Sequence, residues 1–260
     1  MRLTLRLGGG FVLALIYGFI LLPLVVVFAS SLTAGELMQF PPQGLSLRWF
    51  ARFFADQALM QALGLSLQVA AITTVIVTVI GTMAALAHRA LNGWSKRWLR
   101  TGLLLSLLPP ELLPSIGPLF FLYRIGLGKT LVGLQIAHAV VTLPFAFVSI
   151  VAALDQLDPA LEDASNSLGA SAWDTFRRVV LPLVRGGIVT GALFAFVTSF
   201  DMFTVSFLLK PIGGNTLPLA LFDYLSYDYD PTAAAAAAVS VLLAIAGVVV
   251  IEKLVGLRNL

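Results

Sequence analysis

Glu162-Asp163-Ala164-Ser165-Asn166-Ser167-Leu168-Gly169, closed after nine further residues by Val179-Val180-Leu181-Pro182, is a polar, charged stretch inside a chain that is otherwise mostly apolar. Its local signals predict two short helices joined by a sharp turn. Asp158-Pro159 supplies an N-cap carboxylate followed by proline at the first helical position. That helix runs through Leu161 and Leu168 to Gly169, a residue type that takes up the left-handed conformation closing a helix. Ser171 is placed to cap the second helix, with Asp174 three residues on, where a capping box carries Glu or Gln. Trp173, Phe176 and Val180 recur at three- and four-residue spacing and are expected to share a face. Pro182 ends this helix or bends it into the next apolar segment. A membrane protein that keeps so structured a segment in water is expected to use it to touch a partner.

The surrounding composition makes this a membrane protein. Of 260 residues, 59% are hydrophobic and 11% charged, and the mean hydropathy is +0.96. A soluble domain carries about 25% charged residues, so the composition points to a polytopic membrane protein. With no cysteine there is no disulfide framework, thiolate metal site or cysteine nucleophile. The net charge of +3 is small, and the basic residues lie between apolar segments rather than along one face, which excludes a nucleic-acid partner. His88 and His138 are isolated in the sequence and are read as structural rather than metal-binding.

Six segments have the roughly 20 apolar residues that a helix needs to cross a bilayer: residues 11–31, 62–87, 101–123, 131–154, 187–209 and 232–251. Backbone polar groups in lipid must be satisfied within the segment, and the alternation of a β-barrel is missing. The expected fold is all-α, a single polytopic domain over residues 1–260 with six transmembrane helices. The apolar run over residues 7–34 is long for a cleaved leader and is read as a retained helix.

Placing the N-terminus inside puts Arg2, Arg6, Arg89, Lys96, Arg97, Arg100, Arg177, Arg178, Arg185, Lys253 and Arg258 on the cytoplasmic side, eleven of sixteen basic residues. Both termini and residues 158–182 are then cytoplasmic. Outside lies a loop whose aromatics, Trp49, Phe50, Phe53 and Phe54, are read as interfacial anchors. A second outer loop carries Asp223, Tyr224, Tyr227, Asp228, Tyr229 and Asp230, which either receive a partner or a cationic solute or are simply solvated. The alanines at 233–238 predict a close helix-packing surface.

Glu111 and Asp201 are the acids placed within expected spans. A carboxylate near a bilayer centre costs about 2.5–3.5 kcal/mol on insertion scales, so these face protein or water rather than lipid. Either they line the translocation path, or each pairs with a neighbouring helix or stays wet near the headgroups. Pro109, Pro110, Pro114 and Pro118 are expected to kink or break the third span. Gly126-Leu127-Gly128-Lys129-Thr130 ends like a phosphate-binding loop, but Tyr123 occupies the position of the required first glycine, so no nucleotide site is expected.

The opening stretch resembles the EAA loop of permease subunits of binding-protein-dependent ABC importers. Asp163-Ala164-Ser165 takes the E-A-A place with two conservative departures, Glu162 adds a carboxylate before it, and Gly169 and Val179-Val180-Leu181-Pro182 keep their spacing. The resemblance implies a type I ABC importer permease fold, with 158–182 as a coupling loop that inserts into an ATPase subunit. Its coupling residues would be Glu162, Asp163, Ala164, Ser165, Leu168, Gly169, Ala170, Trp173, Phe176, Leu181 and Pro182. Ser199-Phe200-Asp201, Thr216-Leu217-Pro218, Asp230-Pro231-Thr232 and Pro110-Glu111 are similar to the spermidine/putrescine permease branch, although Met202 stands where relatives often have a second acid. Glu111, Phe200, Asp201 and Met202 become the translocation-path candidates, for a polyamine or related amine. The alternatives are another small organic solute in the same importer class, or a gradient-driven secondary transporter. The implied setting is a bacterial inner membrane, with a second homologous permease, a cytoplasmic ATPase dimer and an extracytoplasmic solute-binding protein as partners. ATP and Mg belong to the ATPase; this chain is expected to be no enzyme and to carry no cofactor.

Overall fold

A computed structural model describes the backbone of residues 2–108, 110 and 112–255. Among these, the regular elements are helices, apart from one isolated bridge between Thr33 and Leu45. In chain order they are α1 (Arg2–Ser31), α2 (Arg48–Ala55), α3 (Gln57–Ala90), α4 (Gly93–Leu104), α5 (Leu112–Arg124), α6 (Leu131–Asp155), α7 (Pro159–Ser167), α8 (Ala172–Thr175), α9 (Leu181–Phe200), α10 (Phe203–Leu208), α11 (Leu217–Tyr227) and α12 (Thr232–Val255). The all-α, multi-span expectation holds. Five helical segments are long and apolar enough to cross a membrane: Val12–Ser31, Gln57–Ala90, Leu131–Asp155, Ala172–Phe200 and Thr232–Val249. The helices Gly93–Leu107 and Leu112–Arg124, bent by 104° at the break between them, make a sixth if the pair is counted as one span. Prolines in this stretch remove backbone donors, as expected of the third span. Glu111 lies outside the described residues.

The fifth span differs from its expected limits of 187–209. Its helix begins at Ala172 and stops at Phe200. Asp201 (φ −92°, ψ 5°) closes it, Met202 is extended, and α10 then resumes. Asp201 is thus an exposed residue at a break between two helices rather than within one continuous helix. Hydropathy does not register such a break, because the residues on both sides are apolar.

Two compact units are present. The first comprises Gln61–Leu219 and Ile245–Leu260. Its core joins Val77 and Ala85 of α3, Ala146, Phe147, Ile150 and Leu154 of α6, and Val184 and Ala195 of α9. His138 has no exposed surface; its two ring nitrogens lie 2.9 Å from Ser199 Oγ and 3.2 Å from Ser206 Oγ. It therefore links α6 to the helices on both sides of the Asp201–Met202 break, a structural role.

The second unit comprises Met1–Met60 and Ala220–Ala244. Here the aromatic stretch departs from expectation. Trp49 and Phe53 are buried, and Trp49 Nε1 donates to Thr33 O at 2.9 Å. They form a packed inner face of α2 rather than interfacial anchors, and Phe54 is left outside. Ala233, Ala234, Ala235, Ala236 and Ala238 are buried, as a close-packing helix face requires. Asp230, one of the loop acids, is tied in: Arg52 Nη1 lies 2.9 Å away, Tyr224 Oη donates at 3.0 Å and Thr232 N–H at 2.8 Å.

Burial pushes the Asp230 carboxyl up, but the donors from Thr232 and Tyr224 and the Arg52 guanidinium outweigh it and hold the group below its ordinary value. A depressed folded value stabilises the fold above the unfolded carboxyl range near ~3.9, and the contribution is lost as pH falls through the folded value. Asp230→Asn is therefore expected to lower stability by about 1 kcal/mol at neutral pH, with Arg52 largely solvated. Below about pH 3 that deficit should shrink. Melting curves of both proteins in detergent across this range check it; a pH-independent deficit would show that the carboxylate charge is not what stabilises.

Candidate functional site

Residues 158–182 fold as their local chemistry directs. Asp158 Oδ1 accepts from Ala160 N–H at 2.9 Å, and Pro159 opens α7. At its other end, Gly169 N–H donates to Asn166 O at 2.9 Å and Ala170 N–H to Ser165 O at 3.2 Å. This pair of bonds is a Schellman closure, and Gly169 takes the left-handed conformation it requires at φ +82°. A Cβ on Gly169 would meet nothing within 4 Å, so only the backbone restricts this position.

Ser171 then caps α8. Its Oγ accepts from Asp174 N–H at 3.1 Å and donates to Asp174 Oδ2 at 2.6 Å, so serine and aspartate satisfy each other. Pro182 neither ends nor sharply bends the helix. A single π turn, Phe176–Val180, precedes it, with Leu181 N–H donating to Phe176 O. Shifting the hydrogen-bond register by one residue just before the proline accommodates its missing donor and its ring. The helix continues from Ala172 to Phe200.

The result is a rigid elbow with two different sides. Leu161, Ala164 and Leu168, at i, i+3 and i+7, line one exposed stripe of α7. Leu168 is 89% exposed, and Trp173 beyond the turn is 67% exposed. Asp163 is also exposed. Glu162 turns the other way, its Oε1 2.7 Å from Arg89 Nη2. Arg89 Nη1 donates at 2.9 Å to Leu154 O, in the last turn of α6. One guanidinium thus joins the ends of α3 and α6 to the middle of α7. Ser165 Oγ, 2.9 Å from Thr175 Oγ1, ties the two arms of the elbow. Beneath lies a cavity of about 450 Å³ lined by Leu86, Arg89, Glu162, Asn166, Thr175 and Phe176, among others.

The expected coupling residues therefore divide. Asp163, Ala164, Leu168, Gly169 and Trp173 face outward, and Leu181 and Pro182 are also exposed, whereas Glu162, Ser165 and Phe176 hold the elbow to the helices behind it, and Ala170 is half-buried within the turn. Trp173 and Phe176 rings lie 5.5 Å apart, and Phe176 and Val180 line the same cavity and pack on the same core, so the row runs from the exposed Trp173 inward to the buried Val180. Arg89 was missed by sequence reasoning beyond its topological charge; a basic residue at a helix end carries no signal of a partner 73 positions later (162 minus 89).

Of the path candidates, the three described residues, consecutive in the chain, face different ways. Phe200 is buried and stacks on Phe196, with centroids 6.1 Å apart. Met202 is buried among Val69, Leu122, Leu134 and Val205. Only Asp201 of the three faces out. The stretch resembling a phosphate loop is a helix start: Thr130 Oγ1 accepts from Gly133 N–H at 3.0 Å and caps α6.

Comparison with known proteins agrees with this architecture. The family model described as "Binding-protein-dependent transport system inner membrane component" matches residues 77–255. The chain is 25% identical to the spermidine/putrescine transport system permease protein PotC of Haemophilus influenzae, over 94% of each chain. It is 30% identical to the trehalose transport system permease protein SugB of Mycobacterium tuberculosis, covering 81% of this chain and 78% of that protein. The crystal structure of a bacterial ABC transporter involved in the import of the acidic polysaccharide alginate contains a chain of similar fold, with a TM-score of 0.68, 14% identity, and 97% and 95% of the two chains covered.

Proposed function

Since this chain belongs to the family of binding-protein-dependent transport system inner membrane components, we propose that it forms half of the translocation path of an ABC importer and that residues 158–182 couple it to a separate ATPase. The observation that carries this reading is the exposed apolar stripe of Leu161, Ala164 and Leu168, continued by Trp173, on an elbow held rigid by two caps and an ion pair. Large apolar side chains presented on a pre-organised helix fit a groove in a partner, since little conformational freedom is lost on docking. In this reading the segment and both termini are cytoplasmic. The ATPase dimer holds ATP and Mg, a second homologous permease completes the path, and an extracytoplasmic binding protein delivers the solute. ATP closes the ATPase dimer, and α7 carries that motion to the spans.

Leu168→Asp tests the reading. The side chain touches little within the chain, so the variant should fold and insert normally. A carboxylate in a docking groove should weaken ATPase association about 30-fold, the effect of losing an interface hot spot worth about 2 kcal/mol. Copurification of the ATPase with the affinity-tagged permease measures it. Undiminished copurification would remove α7 as the docking element, and the absence of any copurifying ATPase would favour a gradient-driven transporter.

For the solute, a polyamine such as spermidine or putrescine is the reading supported by the similarity to PotC. Asp201, and Glu111 with it, would give the path an anionic wall, with Phe200 and Met202 supporting the break that exposes Asp201. Asp201→Asn is expected to lower spermidine uptake about tenfold, or about 1.4 kcal/mol, with ATPase association unchanged. The 30% identity to SugB favours a second reading, a neutral sugar-like solute. Full spermidine uptake by Asp201→Asn would count for it and against an acidic path.

A further inference from the structure

Helix α9 carries Asp201 at one end and borders a groove at the other, on the same side. The groove has a volume of about 680 Å³ and lies between α6 and the first turns of α9. Backbone forms its floor: a Cβ on Gly187 would stand 2.8 Å from Ser149 O, so the two helices touch there. Its lining includes Ser149, Gln156, Asp158 and Thr190 and, among the described residues, no lysine or arginine. Ser149 and Gln156 are seven residues apart on α6 and share a face.

Asp201 N–H keeps the helical bond to Val197 O at 3.1 Å, so the α9 wheel extends to it. With 3.6 residues per turn, Asp201 falls about 20° from Thr190 around the axis, whereas Arg185 lies about 140° from it. Phe194, 48% exposed, stands in the same row between Thr190 and Asp201. From Leu183 to Asp201 this row is about 27 Å long at 1.5 Å per residue, close to the thickness of a bilayer core.

We propose that this row of α9 and the α6–α9 groove form one wall of the solute path down to its cytoplasmic mouth, and that the groove takes ammonium groups. The proposal rests on the reading of Asp201 as a path residue. An ammonium has three donors and no acceptor. Ser149 Oγ spends its own proton on Phe145 O at 2.9 Å and keeps its lone pairs for a donor from outside. Gln156 and Thr190 add further side-chain oxygens, and Asp201 and Asp158 put negative charge at the two ends. Acyl chains offer such groups nothing, so lipid fits this face poorly. Single neutral acceptors bind a cation weakly, which lets it move on rather than stay.

Because the chain has no cysteine, single cysteines report the groove directly. Ser149→Cys, Thr190→Cys and Val148→Cys are placed in the full transporter in inside-out vesicles. Val148 is 44% exposed but turned about 100° from Ser149 around α6. The probe is a membrane-impermeant methanethiosulfonate bearing a trimethylammonium, compared with one bearing a sulfonate. Both groove cysteines are expected to react about tenfold faster than Val148→Cys, because a thiol ionises in water and not against lipid. They should favour the cationic reagent about threefold more than a small free thiol does, and Asp158→Asn, which keeps the helix cap, should reduce that preference at Ser149→Cys. ATP-driven release of spermidine, loaded with the binding protein into the vesicle lumen, should fall about tenfold after modification. Release before modification shows that each variant is folded.

Reaction no faster than at Val148→Cys puts lipid or another chain on the groove and overturns the proposal. Fast reaction with undiminished release does the same, since the groove is then wet but off the path. Equal reactivity toward both reagents, relative to the free thiol, removes ammonium groups as its ligand. Labelling is read without ATP, so a failure of α7 to couple leaves it unchanged. Failure of the Asp201 reading shows separately, as normal uptake by Asp201→Asn while Ser149→Cys still reacts.

Discussion

Arg89→Ala is expected to cut ATP-driven uptake about tenfold or more, while the ATPase still copurifies. The expectation rests on a fork: one guanidinium bonds Leu154 O at the end of α6 and pairs with Glu162 in α7. Both carboxylate and guanidinium are about a quarter to a third exposed, at 31% and 26%, so the pair is worth less than a buried one, about 1–2 kcal/mol after screening. Its mechanical consequence is larger than its energy. Without Arg89, α7 keeps its caps and its exposed stripe and so retains its partner, but the side-chain link from α7 to the ends of α3 and α6 is gone. A tenfold loss of uptake corresponds to about 1.4 kcal/mol of coupling. Arg89→Lys should restore only part of it, because an ammonium is a point charge and does not reproduce the planar fork. ATP hydrolysis and solute uptake measured together in vesicles decide it. Uptake at the wild-type level in Arg89→Ala would remove the link from the mechanism.

Gly191→Leu is expected to destabilise the helical body more than any surface change. A Cβ at Gly191 would stand 2.9 Å from Ala146 Cα and 3.2 Å from Ala146 O, backbone atoms of α6 that have no rotamer to escape into. Gly81 of α3 approaches the same alanine, its built Cβ 3.0 Å from Ala146 Cβ, so three helices meet there. Small residues at such crossings let helix backbones pack closely. Overpacking costs about 1–3 kcal/mol for added methylenes, and a whole isobutyl group against backbone belongs at or beyond the upper end. At about 3 kcal/mol the melting midpoint falls by roughly 6–12 °C. Gly247→Ala supplies the contrast: its Cβ would lie 3.8 Å from the Phe196 ring, an ordinary contact, and stability should be unchanged or slightly raised. Equal melting temperatures for Gly191→Leu and the parent would mean that α6 and α9 are not in close contact at this crossing.

Much of the fold was legible because its determinants are short-range. Asp158, Pro159, Gly169 and Ser171 each act within five residues of themselves, and each does what its chemistry predicts. The spans were legible from length and apolarity alone, since lipid leaves the backbone no other solution. Their ends were less so. Asp201 reads as an intramembrane acid, yet the helix stops there, with Met202 packed in the core and His138 bridging Ser199 and Ser206 around the break. Trp49 and Phe53 read as interfacial aromatics, since the sequence shows that α2 is amphipathic but not what covers its apolar face.

Sequence by itself determined the helical class, the segments able to cross a membrane, the capped elbow at 158–182 and the resemblance that it carries. Tertiary structure decided which side of the elbow is offered outward. Glu162 and Asp163 are adjacent, similar carboxylates, and no local rule separates them. Arg89, brought up from the end of α3, takes the first and leaves the second exposed. The physical reason is range: caps and turns are satisfied by donors a few residues away, whereas the Arg89 contact to Leu154 spans 65 positions of chain and exists only once α3 and α6 have packed.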